Sequence, residues 1–376
     1  MTNIALSARA KISDKSLMHV VSYVNGEWCA ARSGDCFSVT DPASGGIIGN
    51  VASKSSEESA AAVDAAQVAF PSWSGLLPQE RSVILRRWFD LMLEHKEDLA
   101  RIMVMEQGKP LSEARGEINY AASFVEFYAE EAKRPDIEGV TSHLQGAEVE
   151  IWLEPVGVAA LITPWNFPAA MLTRKAAAAM AVGCTIVAHP SSETPFSALA
   201  LADLAERAGV PHGVFNVVTG RASNVVEPWT VDPRVRVLSF TGSTEIGRLL
   251  YRQSADTVKK LVMELGGHAP VLVFKECDLD RAVSETIKAK FATSGQDCLG
   301  ANRILVERPI YADFIERFVA ATKDLRVGFG MDDPDIGPLM NEKAIRKQEE
   351  HVADALEKGA NLACGGKRHE LGSLFY

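Results

Sequence analysis

The chain has 376 residues, 47% hydrophobic and 23% charged, the balance of an ordinary globular protein with room for two or three domains and a sizeable core. Its formal net charge of −10 offers no general attraction to nucleic acid or an anionic membrane, and no apolar run reaches the length of a membrane span. Its six scattered cysteines (Cys29, Cys36, Cys184, Cys277, Cys298 and Cys364) include no C-x-x-C pair, and no His stands at ligand spacing. A disulfide framework and a zinc site are therefore not expected, and a reducing, cytoplasmic setting is.

Residues 1–20 contain Asp14 and lack the apolar block of a secretory signal, so they read as a short, loosely ordered lead-in. A strand-like run over 21–28 turns at Asn25-Gly26, and a Gly- and Ser-rich loop leads to Ser56. Helical spacing follows. An Ala-rich segment over 57–70 closes at Pro71, and a second segment places Ile84, Trp88 and Leu91 on one stripe. A third runs through Leu99, Ile102, Met103 and Glu106 until Gly108 and Pro110 stop it, and a longer helix over 111–134 turns Ile118, Val125 and Tyr128 inward. Between 135 and 150 there are turn formers and no helical period, then 149–153 alternates like a strand, which makes a hairpin-like excursion.

Beyond residue 153 the rhythm changes. Short apolar runs at 156–162, 185–188, 214–218 and 235–240 alternate with helical segments at 169–181, 195–208 and about 223–228. That alternation predicts an α/β fold with a doubly wound parallel sheet buried on both faces, whose strand carboxyl ends are the expected place for a nucleotide. A second series follows Glu264: a strand over 270–274, a helix over 278–292, a strand over 303–306 and a helix over 309–323. A connector over 328–339, a charged helix over 341–359 and a last strand near 361–364 complete it, and the chain stops at Phe375-Tyr376 as another apolar run begins.

Cys298 lies between that second-series helix and strand, where a nucleophile would be displayed; taken alone, a lone cysteine there reads as well as a buried filler. A thiol attacks a carbonyl as thiolate, and the oxyanion it creates needs positioned donors. Asn166, in Thr163-Pro164-Trp165-Asn166-Phe167-Pro168, offers a side-chain NH2 on a loop stiffened by two prolines, though a Pro-flanked Asn by itself is a common turn residue. Glu264 ends the apolar strand 260–265 before two glycines, a position that by itself suits a solvated or salt-bridged carboxylate.

The motifs Pro164-Trp165-Asn166-Phe167-Pro168, Phe240-Thr241-Gly242-Ser243-Thr244-Glu245-Ile246-Gly247, Glu264-Leu265-Gly266-Gly267, Gly295-Gln296-Asp297-Cys298 and Gly337-Pro338-Leu339 occur in order. Together they resemble the NAD(P)-dependent aldehyde dehydrogenase superfamily, from about Val24 to Tyr376. The 34 positions between Glu264 and Cys298 also look like the family's. The resemblance implies a catalytic Cys298, Glu264 as general base, and Asn166 sharing the oxyanion hole with the Cys298 backbone N–H. The implied reaction is oxidation of an aldehyde to the acid through a thiohemiacetal and a thioester, released by water and not by coenzyme A because Glu264 is present.

The resemblance further implies NAD or NADP as cofactor, contacted by Ile162, Trp165, His189, Ser192, Gly220, Gly242, Ser243, Ile246 and Leu265. The glycines Gly242 and Gly247 depart from Gly-x-Gly-x-x-Gly, but backbone N–H groups from Ser243 onward can bind pyrophosphate at a helix N-terminus. Relatives usually carry Lys and Glu where this chain has His189 and Ser192, which leaves a weaker, pH-dependent cation and removes a carboxylate opposed to a 2′-phosphate.

Within the family, Met171-Leu172-Thr173-Arg174-Lys175 and Thr194-Pro195-Phe196-Ser197-Ala198-Leu199 look most like succinate-semialdehyde dehydrogenases. Arg174 and Phe167 are then the expected substrate-binding residues, Arg174 for a carboxylate, while Ala292 stands where a second arginine is usual.

The implied organisation is a helical part of the cofactor domain at 1–134, a hairpin of the oligomerisation region at 135–153, a dinucleotide-binding domain at 154–264 and a catalytic domain, incomplete at its C-terminus, at 265–376. The expected partners are a small aldehyde and, given the C-terminal region of relatives, further copies in a homodimer or homotetramer; nucleic acid, membrane and metal are not expected. A shortened, impaired chain that only binds nucleotide or subunits is the rival expectation.

Overall fold

The structure, a computed structural model, describes residues 3–134, 137–372 and 374–376, with Ile137 described by its backbone alone. After β1 (Asn3–Ile4) and the single turn α1 (Leu6–Arg9), Ile12, Leu17 and Met18 are buried, and the Asp98 carboxylate accepts the amides of Ser13 and Asp14 at 2.7 and 2.8 Å. The lead-in is thus a packed arm rather than a loose one. β2 (Ser22–Val24) and β3 (Glu27–Cys29) form the hairpin expected at Asn25-Gly26. The stretch read as loop holds two strands, β4 (Cys36–Thr40) and β5 (Ile47–Ala52), in an antiparallel ribbon ordered β1-β5-β4. Val39, Ile48 and Val51 supply its buried side, and the Ser, Asn and Gly between them hid the alternation.

Four helices come next: α2 (Ser56–Ser74), α3 (Pro78–Glu94), α4 (Lys96–Gln107) and α5 (Leu111–Glu131). A capping box starts α2, with Ser55 Oγ accepting the Glu58 amide at 3.2 Å and Glu58 Oε2 accepting the Ser55 amide at 3.0 Å. The helix was expected to close at Pro71 but runs through it. Trp73 is fully buried and donates its indole N–H to the Met180 carbonyl at 3.1 Å, so this tertiary anchor outweighs the backbone hydrogen bond that proline lacks. β6 (Ile137–Val140) and β7 (Val149–Trp152) make the expected antiparallel excursion; Pro135 and Asp136, at its start, lie outside the described residues.

The alternating region is β8 (Val158–Ile162), α6 (Ala170–Ala181), β9 (Thr185–His189), α7 (Pro195–Ala208), β10 (Phe215–Val217), α8 (Ala222–Val231), β11 (Val235–Gly242), α9 (Thr244–Ser254) and β12 (Lys260–Leu265). These strands lie parallel in the order β12-β11-β8-β9-β10, and the β2–β3 hairpin adds antiparallel at the β10 edge. Side chains alternate between two cores. Ala159, Leu161, Ile186 and Phe215 face α3, α5, α6 and α7, whereas Val158, Ala160, Val187 and Leu238 face α2 and α8. This is the doubly wound α/β sheet that the sequence predicts.

The remaining elements are β13 (Ala269–Val273), α10 (Leu279–Phe291), β14 (Ala301–Val306), α11 (Tyr311–Lys323) and α12 (Glu342–Glu357). β13 and β14 pair in parallel around Val273, Val283 and Phe314. Residues 361–364, expected as a last strand, pair with no strand among the described residues, and Leu362 stays 53% exposed.

Candidate active site

Neighbouring strands end level. Phe240 of β11 is in register with Ile162 of β8, Thr241 with Glu264 and Gly242 with Leu265, so the segments leaving β8, β11 and β12 open at one mouth. The loop after β8 carries Asn166, whose Nδ2 donates to the Gln296 carbonyl at 2.9 Å and keeps its second N–H. After β11, Gly242 and Ser243 lead into α9. The Ser243 hydroxyl accepts the Ile246 amide at 3.3 Å, and the helix N-terminus around it is exposed. A Cβ on Gly247 would lie 2.7 Å from Leu265 Cδ2, which is why glycine lets α9 sit so close to β12. Cys298 arrives from the turn between α10 and β14.

These groups share a cavity of about 230 Å³ lined by Trp165, Asn166, Phe167, Met171, Arg174, Gly242, Ser243, Glu264, Leu265 and Cys298. Cys298 and Glu264 are both solvent-exposed there. Burial, then the neighbouring Asp297 and Glu264 carboxylates, push the Cys298 thiol above its ordinary range. Arg174 is fixed by a 3.0 Å hydrogen bond to the Tyr120 hydroxyl and by the Phe124 ring, whose centroid lies 4.8 Å from its guanidinium. Ala292 brings no second charge.

The other sequence candidates lie outside this cavity. Ile162 is buried at the end of β8, and Ile246 is 43% exposed on the first turn of α9. His189 ends β9 fully enclosed, with Nδ1 at 3.0 Å from the Val218 carbonyl and its ring edge-on to Trp229. Burial pulls it below the ordinary histidine range, so the neutral form is favoured at pH 7 over the weak, pH-dependent cation expected. Ser192 and Gly220 line a second cavity of about 310 Å³ along with Arg221, a cation the sequence reading did not single out.

Lys175 is a further charged residue beside the site, one to which its motif assigns no role. It is buried in α6, its Nζ donates to Ser239 Oγ at 2.8 Å, and burial pulls it down to about 8 against the attraction of Glu264. A lysine leading into the run 176–181 of alanine and methionine was the available signal.

The class of protein follows from a doubly wound sheet with a thiol, a carboxylate and a carboxamide donor at its carboxyl edge: a dinucleotide-dependent oxidoreductase acting on a carbonyl. The chain belongs to the aldehyde dehydrogenase family, whose model matches residues 28–376. It is 53% identical over 367 residues to the succinate-semialdehyde dehydrogenase [NADP(+)] GabD of Escherichia coli, covering 97% of this chain and 76% of that protein. It is 49% identical to a glutarate-semialdehyde dehydrogenase of Pseudomonas aeruginosa with the same coverage. A solved structure described as an E. coli NADP dependent enzyme superposes with a TM-score of 0.96 at 52% identity, over 97% of this chain and 76% of that one.

The protein is therefore an enzyme of NAD(P)-linked aldehyde oxidation, and the rival expectation of an impaired chain is not favoured. The exposed first turn of α9 fits the dinucleotide. No helix among the described residues is long and apolar enough to cross a membrane.

Proposed function

We propose that the enzyme oxidises a short semialdehyde bearing a carboxylate to the dicarboxylic acid, using NADP or NAD. The observation that carries this reading is the single cavity in which the Cys298 thiol, the Glu264 carboxylate, the Asn166 amide and the Arg174 guanidinium meet. The Cys298 thiolate adds to the aldehyde carbon, and the resulting oxyanion accepts hydrogen bonds from Asn166 Nδ2 and the Cys298 backbone N–H. Bound NAD(P)+ supplies the acceptor for the hydride that leaves as the carbonyl re-forms. Cys298 is left as a thioester. Glu264 takes a proton from water, which attacks the thioester and releases the acid and the thiol, so coenzyme A is not needed.

Arg174 supports the choice of substrate, because a guanidinium in a small cavity matches a terminal carboxylate. The two relatives named above act, by their names, on aldehydes of that kind. For the cofactor, Ser192 carries no charge and Arg221 lines the same cavity, while the Glu193 carboxylate there is engaged by the Asn341 amide and pushed up by burial, a setting that suits a 2′-phosphate. The same reading keeps 1–134 and 154–264 as parts of the cofactor-binding unit and 265–376 as the unit that brings the nucleophile. It gives the 135–153 hairpin, with Val149, Ile151 and Trp152 exposed, to pairing of subunits. The six cysteines form no disulfide among the described residues, which supports a reducing, cytoplasmic setting.

The test is steady-state NAD(P)H formation. Arg174→Ala is expected to raise KM for succinate semialdehyde by about tenfold to a hundredfold, the worth of one charged hydrogen bond, and to leave propanal oxidation within about twofold. Cys298→Ala is expected to abolish turnover of both. Equal effects of Arg174→Ala on the two aldehydes, or turnover surviving in Cys298→Ala, would overturn the proposal.

A further inference from the structure

We infer that Lys109 is a positioning residue of the reaction, its buried ammonium holding the loop that presents Asn166 in register with the turn that presents Cys298. This rests on the reading of those two residues given above. Lys109 follows Gly108, the left-handed residue (φ 88°) that ends α4, and is 1% exposed. Its Nζ lies 2.5 Å from Glu117 Oε2, 2.8 Å from the Asn166 carbonyl and 3.5 Å from Thr293 Oγ1, one oxygen for each N–H it carries. The Phe167 ring centroid is 4.3 Å away.

Those oxygens come from three separate places: α5, the loop after β8, and the turn before Cys298. Glu117 extends the tie, since its Oε1 accepts the Ala169 and Ala170 amides at 3.0 and 3.2 Å where α6 begins.

The turn needs such support. Thr293 and Ser294 both have left-handed backbones (φ 51° and 56°), a conformation that is an outlier for a β-branched residue and persists only when its surroundings impose it. Glu113 Oε2 accepts the Thr293 amide at 3.0 Å, Ser294 Oγ donates to the Gly337 carbonyl at 2.9 Å, and Gln296 Oε1 accepts the Met340 amide at 2.9 Å. Asn166 closes the circuit. Its carbonyl is held by Lys109 and its Nδ2 donates to the Gln296 carbonyl at 2.9 Å, so loop and turn are joined through both its main chain and its side chain. An apolar side chain would fill the space of Lys109 without desolvating a charge. What it would not supply is the set of directed bonds that sets the donor against the nucleophile, where a misplacement of about 1 Å can cost a hundredfold in rate.

The variants are Lys109→Met and, to avoid an orphaned buried carboxylate, Lys109→Met combined with Glu117→Gln, which serves if the single variant does not fold. Hydrogen–deuterium exchange on the full chain is expected to rise together at 163–168 and 292–298, with the β13–β14 pair unchanged. Hydrolysis of p-nitrophenyl acetate, which asks for the thiolate and the oxyanion donors but no cofactor, is expected to fall by at least about tenfold, with NADP+ affinity within about twofold. In an Asn166→Ala background the same substitution is expected to cost several-fold less than in the parent, because part of its effect runs through Asn166. Additive losses, or unchanged exchange in both segments, would overturn the inference. If Asn166→Ala alone leaves the rates intact, the role given to Asn166 fails, and the exchange result still judges the clamp.

Discussion

Cys298 is exposed as a residue, but partial burial of its thiol, then the Asp297 and Glu264 carboxylates, hold that thiol above the ordinary cysteine range. Thiolate is the deprotonated, reactive form, so a raised value means a small reactive fraction at pH 7 that grows as pH rises. Alkylation of Cys298 by iodoacetamide in the enzyme without cofactor, followed on its peptide by mass spectrometry, is expected to accelerate by about tenfold from pH 7 to 8 and to keep rising above pH 8. Levelling below pH 8 would show a thiol activated by something else. Ser192 gives a second expectation at this scale. Ser192→Glu sets a carboxylate against any 2′-phosphate in the cavity shared with Arg221, and is expected to lower the NADP/NAD ratio of kcat/KM by at least about tenfold; an unchanged ratio would remove Ser192 from the cofactor site.

Elements set by strong local rules were legible in the sequence. The strands buried on both faces, the helices between them and the Asn25-Gly26 hairpin follow from apolar runs and turn residues. What local rules could not show depends on partners far along the chain. α2 continues through Pro71 because Trp73 reaches Met180, and the first residues pack because Asp98 holds the Ser13 and Asp14 amides. Asp98→Ala is accordingly expected to free the N-terminal arm and cost about 2 kcal/mol, two hydrogen bonds to a carboxylate offset in part by solvation of the released amides. Limited proteolysis would then cut near residues 11–18, while equal resistance in the variant and the parent would show that Ile12, Leu17 and Met18 hold the arm by packing alone.

Across the whole molecule, the segments at the ends of β8, β11 and β12 bring Asn166, Ser243 and Glu264 to one mouth, and the turn before β14 brings Cys298 to them. Motifs made the identities of these residues legible. Their support was not, because Lys109, Glu117 and Thr293 are scattered in sequence and converge only through the packing of α5, the loop after β8 and the turn after α10. His189, which the resemblance sets at the cofactor, is enclosed edge-on to Trp229, a setting that only packing reveals. In the proposed reaction Cys298 carries the acyl group and Glu264 releases it. The most direct measurement uses Glu264→Gln mixed with succinate semialdehyde and NADP+, quenched and examined by peptide mass spectrometry. One equivalent of acyl group on Cys298, formed with one equivalent of NADPH and then stalled, is the expected result; an unmodified Cys298, or sustained turnover by the variant, would contradict the account.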